Sequence, residues 1–153
     1  VSPHLASKLE GNPVDMERVL REFDRVCGSY DYVTAEGSGG ILCPLRFDGQ
    51  TIRLTDFIRA RGLSCLLVAD AGLGTINAVG LTAAYMKAHD IPVKGVIFNH
   101  YEPGSRLHED NLLMCEAMTG LKTVACVREG DTELALPFEA LEALYEENGG
   151  GKK

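Results

Sequence analysis

The sequence predicts an α/β fold, a parallel sheet with helices on both faces in three layers. Three observations predict it. Short apolar runs recur at residues 32–35, 64–69, 93–98 and 123–127, and most are bounded by glycine or polar residues. Between them, apolar residues return at helical spacing. Strand and helix therefore alternate along the chain, which is the pattern of parallel strands joined by helical crossovers. At 153 residues the chain is long enough to bury a real core. It reads as one α/β domain over residues 1–148, with a Gly-Gly-Gly-Lys-Lys tail at 149–153 expected to be disordered.

Taken in order, residues 1–11 form a lead-in. Asn12-Pro13-Val14-Asp15 is a helix start, with Asn12 as N-cap and Pro13 at the first helical position. Met16, Val19, Leu20, Phe23, Val26 and Cys27 follow at helical spacing, and Gly28 ends that helix. Residues 32–35 are the first strand. Residues 41–53 read as a loop or short hairpin with Asp48-Gly49 as the turn. A short helix over residues 54–61 closes on Gly62. The second strand, 64–69, runs into Asp70-Ala71-Gly72 and a helix that starts near Thr75. The third strand, 93–98, ends at Asn99. Ser105 caps the next helix, which runs to Thr119 and closes on Gly120. The fourth strand is 123–127, and a last helix covers 137–147.

Composition narrows the function. The net charge is −7 and no basic stripe is present, which argues against nucleic acid or an anionic membrane as partner. A phosphate ligand stays open, because backbone N–H groups and Mg²⁺ hold phosphates without basic side chains. No apolar run suits a membrane span. The five cysteines (27, 43, 65, 115 and 126) form no C-x-x-C. Free thiols in a reducing cytoplasm are expected, with no zinc site and no disulfide framework.

The chemistry is expected at the strand ends. These read Glu36-Gly37, Asp70-Ala71-Gly72, Asn99-His100 and Arg128-Glu129-Gly130. In a parallel sheet such ends share one edge, where open α/β sheets bind ligands. Glu36 is followed by three glycines in four residues, which let backbone approach a ligand; on spacing alone it reads more readily as a strand-end acid facing water. The segment Gly72-Leu73-Gly74-Thr75-Ile76-Asn77 reads as an anion site at a helix N-terminus, or as an ordinary strand-to-helix turn. Asn99 suits the N6/N7 edge of adenine, or bonds to its own turn. No G-x-x-x-x-G-K-[ST], G-x-S-x-G or H-E-x-x-H occurs, and the four histidines lack metal or triad spacing.

Several segments together carry a resemblance. They are Ser2-Pro3-His4, Ala35-Glu36-Gly37-Ser38-Gly39-Gly40 with Pro44-Leu45, Gly72-Leu73-Gly74-Thr75-Ile76-Asn77 with Leu81-Thr82, and Gly95-Val96-Ile97-Phe98-Asn99. In this order the chain resembles dethiobiotin synthetase, from about Ser2 to about Val127. The resemblance implies a Rossmann-like P-loop NTPase type of fold, here without its first strands. It implies an ATP- and Mg²⁺-dependent ligase of biotin synthesis that carboxylates 7,8-diaminopelargonic acid with CO₂ and closes the ureido ring, releasing ADP and phosphate. Glu36 matches the acid that binds Mg²⁺ beside the phosphates, with Gly37, Ser38 and Gly39 on the nucleotide side. Asn99 matches the adenine-reading Asn, beside His100. Arg128, Glu129 and Gly130 fall where further adenine contacts are made, although the usual Ile-Pro is absent there. Leu73, Gly74, Thr75, Ile76 and Asn77 match the segment that binds the substrate carboxylate across a homodimer interface. Ser2-Pro3-His4 matches a loop near the substrate.

The resemblance also implies that the P-loop, its catalytic lysine, a second Mg²⁺ acid and a substrate-side serine all precede Ser2, so no catalytic residue is assigned in this chain. The chain alone is then expected to have little or no ligase activity. Two other readings stay open. One is a non-catalytic fragment that dimerises and binds a carboxylate at 72–77. The other is a related P-loop amidoligase domain.

Overall fold

The computed structural model describes residues 1–145. The expected tail at 149–153 and the last two positions of the expected final helix lie outside them. The described residues fall into two compact units, Val1–Gly62 and residues 63–145.

In the first unit the lead-in is helical. Helix α1 spans Pro3–Leu9, with Ser2 at the N-cap position and Pro3 at the first helical position. The expected loop at Ser2-Pro3-His4 is thus a helix start, because proline pre-sets φ for the first turn and lacks the N–H that a helix end would leave unpaired. Helix α2 spans Met16–Cys27 and starts three residues later than expected. Asp15, not Asn12, is its cap: its Oδ1 accepts from the N–H groups of Glu17 at 2.9 Å and Arg18 at 3.4 Å. Strands β1 (Pro44–Phe47) and β2 (Thr51–Arg53) form the expected antiparallel hairpin, and helix α3 (Leu54–Arg61) ends on Gly62 at φ +60°. Phe23 and Phe57 meet edge to face with ring centroids 5.1 Å apart, which joins α2 to α3.

The strand expected at 32–35 does not form; the segment is irregular. An apolar, β-branched run becomes a strand only when a neighbouring strand takes its N–H and C=O groups. The ladders among the described residues do not include this segment.

The second unit carries the parallel sheet. Strands β3 (Cys65–Asp70), β4 (Val93–Asn99) and β5 (Thr123–Cys126) lie in the order β3-β4-β5, all parallel. Helices α4 (Thr75–Ala88) and α5 (Arg106–Thr119) are the crossovers. Both pack on the same face, as two successive right-handed crossovers in one direction require. There Leu67 and Ala69 of β3, Val96 and Phe98 of β4 and Cys126 of β5 meet Ile76 and Val79 of α4 and Leu112 and Cys115 of α5. Phe98 is fully buried. Helix α5 starts at Ser105 and ends at Gly120 (φ +73°), both as expected. The last helix is shorter than expected: α6 covers only Phe138–Glu142.

Candidate functional site

Three strand ends named by the sequence come together at one edge of the second unit. Asp70 and Asn99 are register partners at the ends of β3 and β4. The ladder continues past them, with the Ala71 N–H donating to the Asn99 carbonyl at 2.9 Å. One strand further, the Tyr101 N–H donates to the Val127 carbonyl at 2.9 Å. This brings the turn after β4 beside the residues that follow β5. His100, Tyr101, Glu102, Pro103, Arg128 and Glu129 line a pocket of about 260 Å³ there. Pockets for drug-sized ligands run from about 300 Å³ upward, so this one suits a single ring system rather than a whole nucleotide.

The residues around the pocket are held by their own turns. His100 sits in left-handed backbone at φ +54°. Histidine is among the few side-chain-bearing residues enriched there, and its surroundings must hold it. Its Nδ1 lies 2.7 Å from Asp70 Oδ2. The other carboxylate oxygen of Asp70 accepts from the Gly72 N–H at 2.7 Å. The bond from His100, then the Gly72 N–H, holds the Asp70 carboxyl below its usual 3.8. Asp70 was legible as a strand end but carried no assigned role. After β5, Asp131 accepts from the Arg128 N–H at 2.9 Å and from its guanidinium at 3.1 and 3.3 Å. These bonds close the Arg128-Glu129-Gly130 turn, with Gly130 at φ +84°. The Arg128 head group is engaged with Asp131, so its part in the pocket is to shape the wall.

The second candidate lies at the N-terminus of α4. Gly74 is the N-cap residue, at φ +94°, a conformation that glycine adopts without strain. No side chain caps the helix. A helix start leaves its first N–H groups without intrahelical acceptors, and the helix dipole adds partial positive charge there. Thr75 is only 4% exposed, yet its Oγ1 has no hydrogen-bond partner among the described residues. Buried hydroxyls are normally bonded, so this one asks for a ligand oxygen or a water. Leu73 stands almost fully exposed beside it, at 91%.

The turn before this helix start is fixed from behind. Asn111 of α5 is buried, and its Nδ2 donates to the carbonyls of Ala71 and Gly72, both at 2.9 Å. It clamps the loop from the core side. Its sequence signal was a polar residue three and four positions from His108 and Cys115, on the helix face that turns inward.

Glu36, Gly37, Ser38 and Gly39 belong to the first unit. Glu36, Ser38 and Gly39 are exposed, and Gly37 is half-buried. A Cβ at Gly37 would meet the methyl end of the Leu54 side chain, which would have to shift to make room. Among the described residues no three His, Cys, Asp or Glu side chains cluster as a metal site. A lone Glu36 still fits Mg²⁺, which commonly takes one or two carboxylates and completes its octahedron with waters and phosphates. All five cysteines are free thiols, and burial pushes those of Cys65, Cys115 and Cys126 up. Among the described residues no helix is long and apolar enough to cross a membrane.

A model of the AAA domain family matches residues 1–132. The chain is 43% identical over 146 residues to a protein of Brachyspira hyodysenteriae named ATP-dependent dethiobiotin synthetase BioD, covering 95% of this chain and 65% of that one. It is 38% identical over 146 residues to a protein of the same name from Clostridium botulinum (strain Alaska E43), covering 95% and 64%. Another of that name, from the Loch Maree strain, is 37% identical over 147 residues, covering 96% and 64%. The chain thus spans about 65% of the length of the curated relatives it matches. On the family match over residues 1–132, the chain belongs to the AAA domain family.

Proposed function

We propose that this chain is the nucleotide-edge and carboxylate-binding part of an ATP- and Mg²⁺-dependent dethiobiotin synthetase. The observation that carries the reading is the start of α4: an uncapped helix N-terminus on a glycine turn, with the buried Thr75 hydroxyl unpartnered. It is built to receive an anion, and Leu73, Gly74, Thr75, Ile76 and Asn77 would hold the substrate carboxylate. Asn99, His100 and the Arg128-Glu129-Gly130 turn would receive the adenine ring in the pocket beside them. Glu36, with Gly37, Ser38 and Gly39, would face the phosphates. Mg²⁺, held by Glu36 and the phosphates, supplies charge neutralisation for the transferred phosphoryl group.

In this reading one amine of 7,8-diaminopelargonic acid attacks CO₂ to form a carbamate. ATP phosphorylates the carbamate, and the second amine closes the ureido ring as phosphate leaves. The chain's own residues bind and orient: the helix N-terminus would fix the carboxylate end of the substrate. The exposed Leu73 and Leu81, beside and along α4, suit burial against a second copy in a homodimer. A cytoplasmic location fits the free thiols. Residues 1–148 would form one α/β domain with the segment that carries a P-loop, and the chain alone would turn over little ATP.

The test is ADP release by the purified chain with Mg²⁺, bicarbonate and 7,8-diaminopelargonic acid, each omitted in turn. The assay is repeated with the N-terminal third of a relative added as a separate polypeptide. Release that needs all three additions and rises with the added segment is expected. Release that is indifferent to the diamine, or none under either condition, contradicts the ligase reading.

A further inference from the structure

The Asp70–His100 pair carries an inference about which base the pocket accepts. The Asp70 carboxylate accepts from the Gly72 N–H on one oxygen and faces His100 Nδ1 at 2.7 Å with the other. An ionised carboxylate has only acceptors, so the bond requires the hydrogen on Nδ1. In the neutral ring, Nε2 then carries a lone pair and accepts. The ring is 66% exposed and lines the pocket with Tyr101, Glu102, Pro103, Arg128 and Glu129. The backbone of His100 is held at φ +54°, with the Ala71 N–H bonded to the preceding carbonyl. The ring is therefore placed from the main chain as well as from Asp70.

We propose that Asp70 is a positioning residue that fixes the His100 tautomer with Nε2 as acceptor, so that the pocket favours a base presenting an exocyclic amine over one presenting a carbonyl. The inference rests on the nucleotide reading given above. The amine of a 6-aminopurine donates to Nε2, whereas the carbonyl of a 6-oxopurine meets a lone pair. Asp70→Asn reverses the arrangement with little change of shape. Its amide oxygen still accepts from Gly72, while its NH₂ donates to His100 Nδ1 and moves the ring hydrogen to Nε2.

Two measurements on the full chain test this. The first is ¹⁵N NMR of the His100 ring at alkaline pH, in the parent and in Asp70→Asn. An Nδ1–H ring that becomes Nε2–H in the variant is expected; the same tautomer in both overturns the assignment to Asp70. The second is the affinity for ATP and ITP, which differ in the amine or carbonyl at position 6 and in the hydrogen that the carbonyl form carries on N1. The parent is expected to prefer ATP. In Asp70→Asn the preference should fall by about three- to tenfold, the range of one net hydrogen bond. His100→Ala should lower it as much, and Asp70→Asn should then add nothing. An unchanged ratio in either single variant overturns the inference. A tautomer that switches without any nucleotide binding places the failure in the nucleotide reading, and the base preference falls with it.

Discussion

Replacing Asn111 by leucine tests the clamp on the loop before α4. The substitution nearly preserves volume and removes two donors. The carbonyls of Ala71 and Gly72 each lose a 2.9 Å bond, and Ala71 is fully buried. A net hydrogen bond contributes about 1 kcal/mol, and an orphaned buried acceptor costs about 1–3 kcal/mol, so the total loss is about 2–4 kcal/mol. That is a large share of the roughly 5–15 kcal/mol stability of an ordinary domain. The assay is urea unfolding followed by circular dichroism. With m of about 1–3 kcal/mol/M, a loss of about 3 kcal/mol lowers the midpoint by about 1–3 M. Asn111→Asp keeps the shape, sets a carboxylate against two carbonyls, and should lose at least as much. A midpoint within about 0.3 M of the parent at unchanged m refutes the clamp.

Other consequences follow from single contacts. With the P-loop segment of a relative added, Glu36→Gln should lower Mg²⁺-dependent ADP release by about a hundredfold or more with the circular dichroism spectrum unchanged, the scale seen when one transition-state contact is lost; full activity removes Glu36 from the mechanism. Phe57→Ala, which opens the edge-to-face contact with Phe23 at a side chain 7% exposed, should cost about 3–5 kcal/mol in urea unfolding. Arginine contacts lower the carboxyls of Asp24 and Asp48, and His100 with the Gly72 N–H lowers that of Asp70. Groups depressed on folding contribute stability that is present above the unfolded value near 3.8 and lost as pH falls through the folded one. The melting temperature should therefore drop as pH is lowered from about 5 toward 2, and Asp24→Asn should flatten that limb. A limb of the same slope in the variant counts against the pairing of Asp24 with the Arg61 guanidinium, which lies 2.6 Å away.

Most of the second unit was legible because its signals are local. Ser105 and Gly120 mark helix ends by backbone chemistry, as Gly62 does in the first unit, and the parallel strands are continuous apolar runs between polar ends. The candidate site was legible in part. Asn99, His100 and the Gly74–Thr75 helix start were named from their positions at strand and helix ends. What escaped depends on partners distant in sequence. The strand expected at 32–35 needed a neighbour that local composition cannot supply. The Asp70–His100 bond and the Asn111 clamp join residues 30 and 39–40 positions apart, which no spacing rule connects. The shift of the α2 cap from Asn12 to Asp15 has another cause: both residue types cap helices, and only the fold chooses between them.

The central claim is that this chain serves a carboxylating, ring-closing ligase. ¹³C-bicarbonate tests it most directly, supplied with ATP, Mg²⁺ and 7,8-diaminopelargonic acid to the chain together with the P-loop segment of a relative. The account predicts dethiobiotin carrying the label at its ureido carbon, formed one for one with ADP, and lost with Glu36→Gln. ADP formed without labelled product, or labelled product formed without ATP, would contradict it.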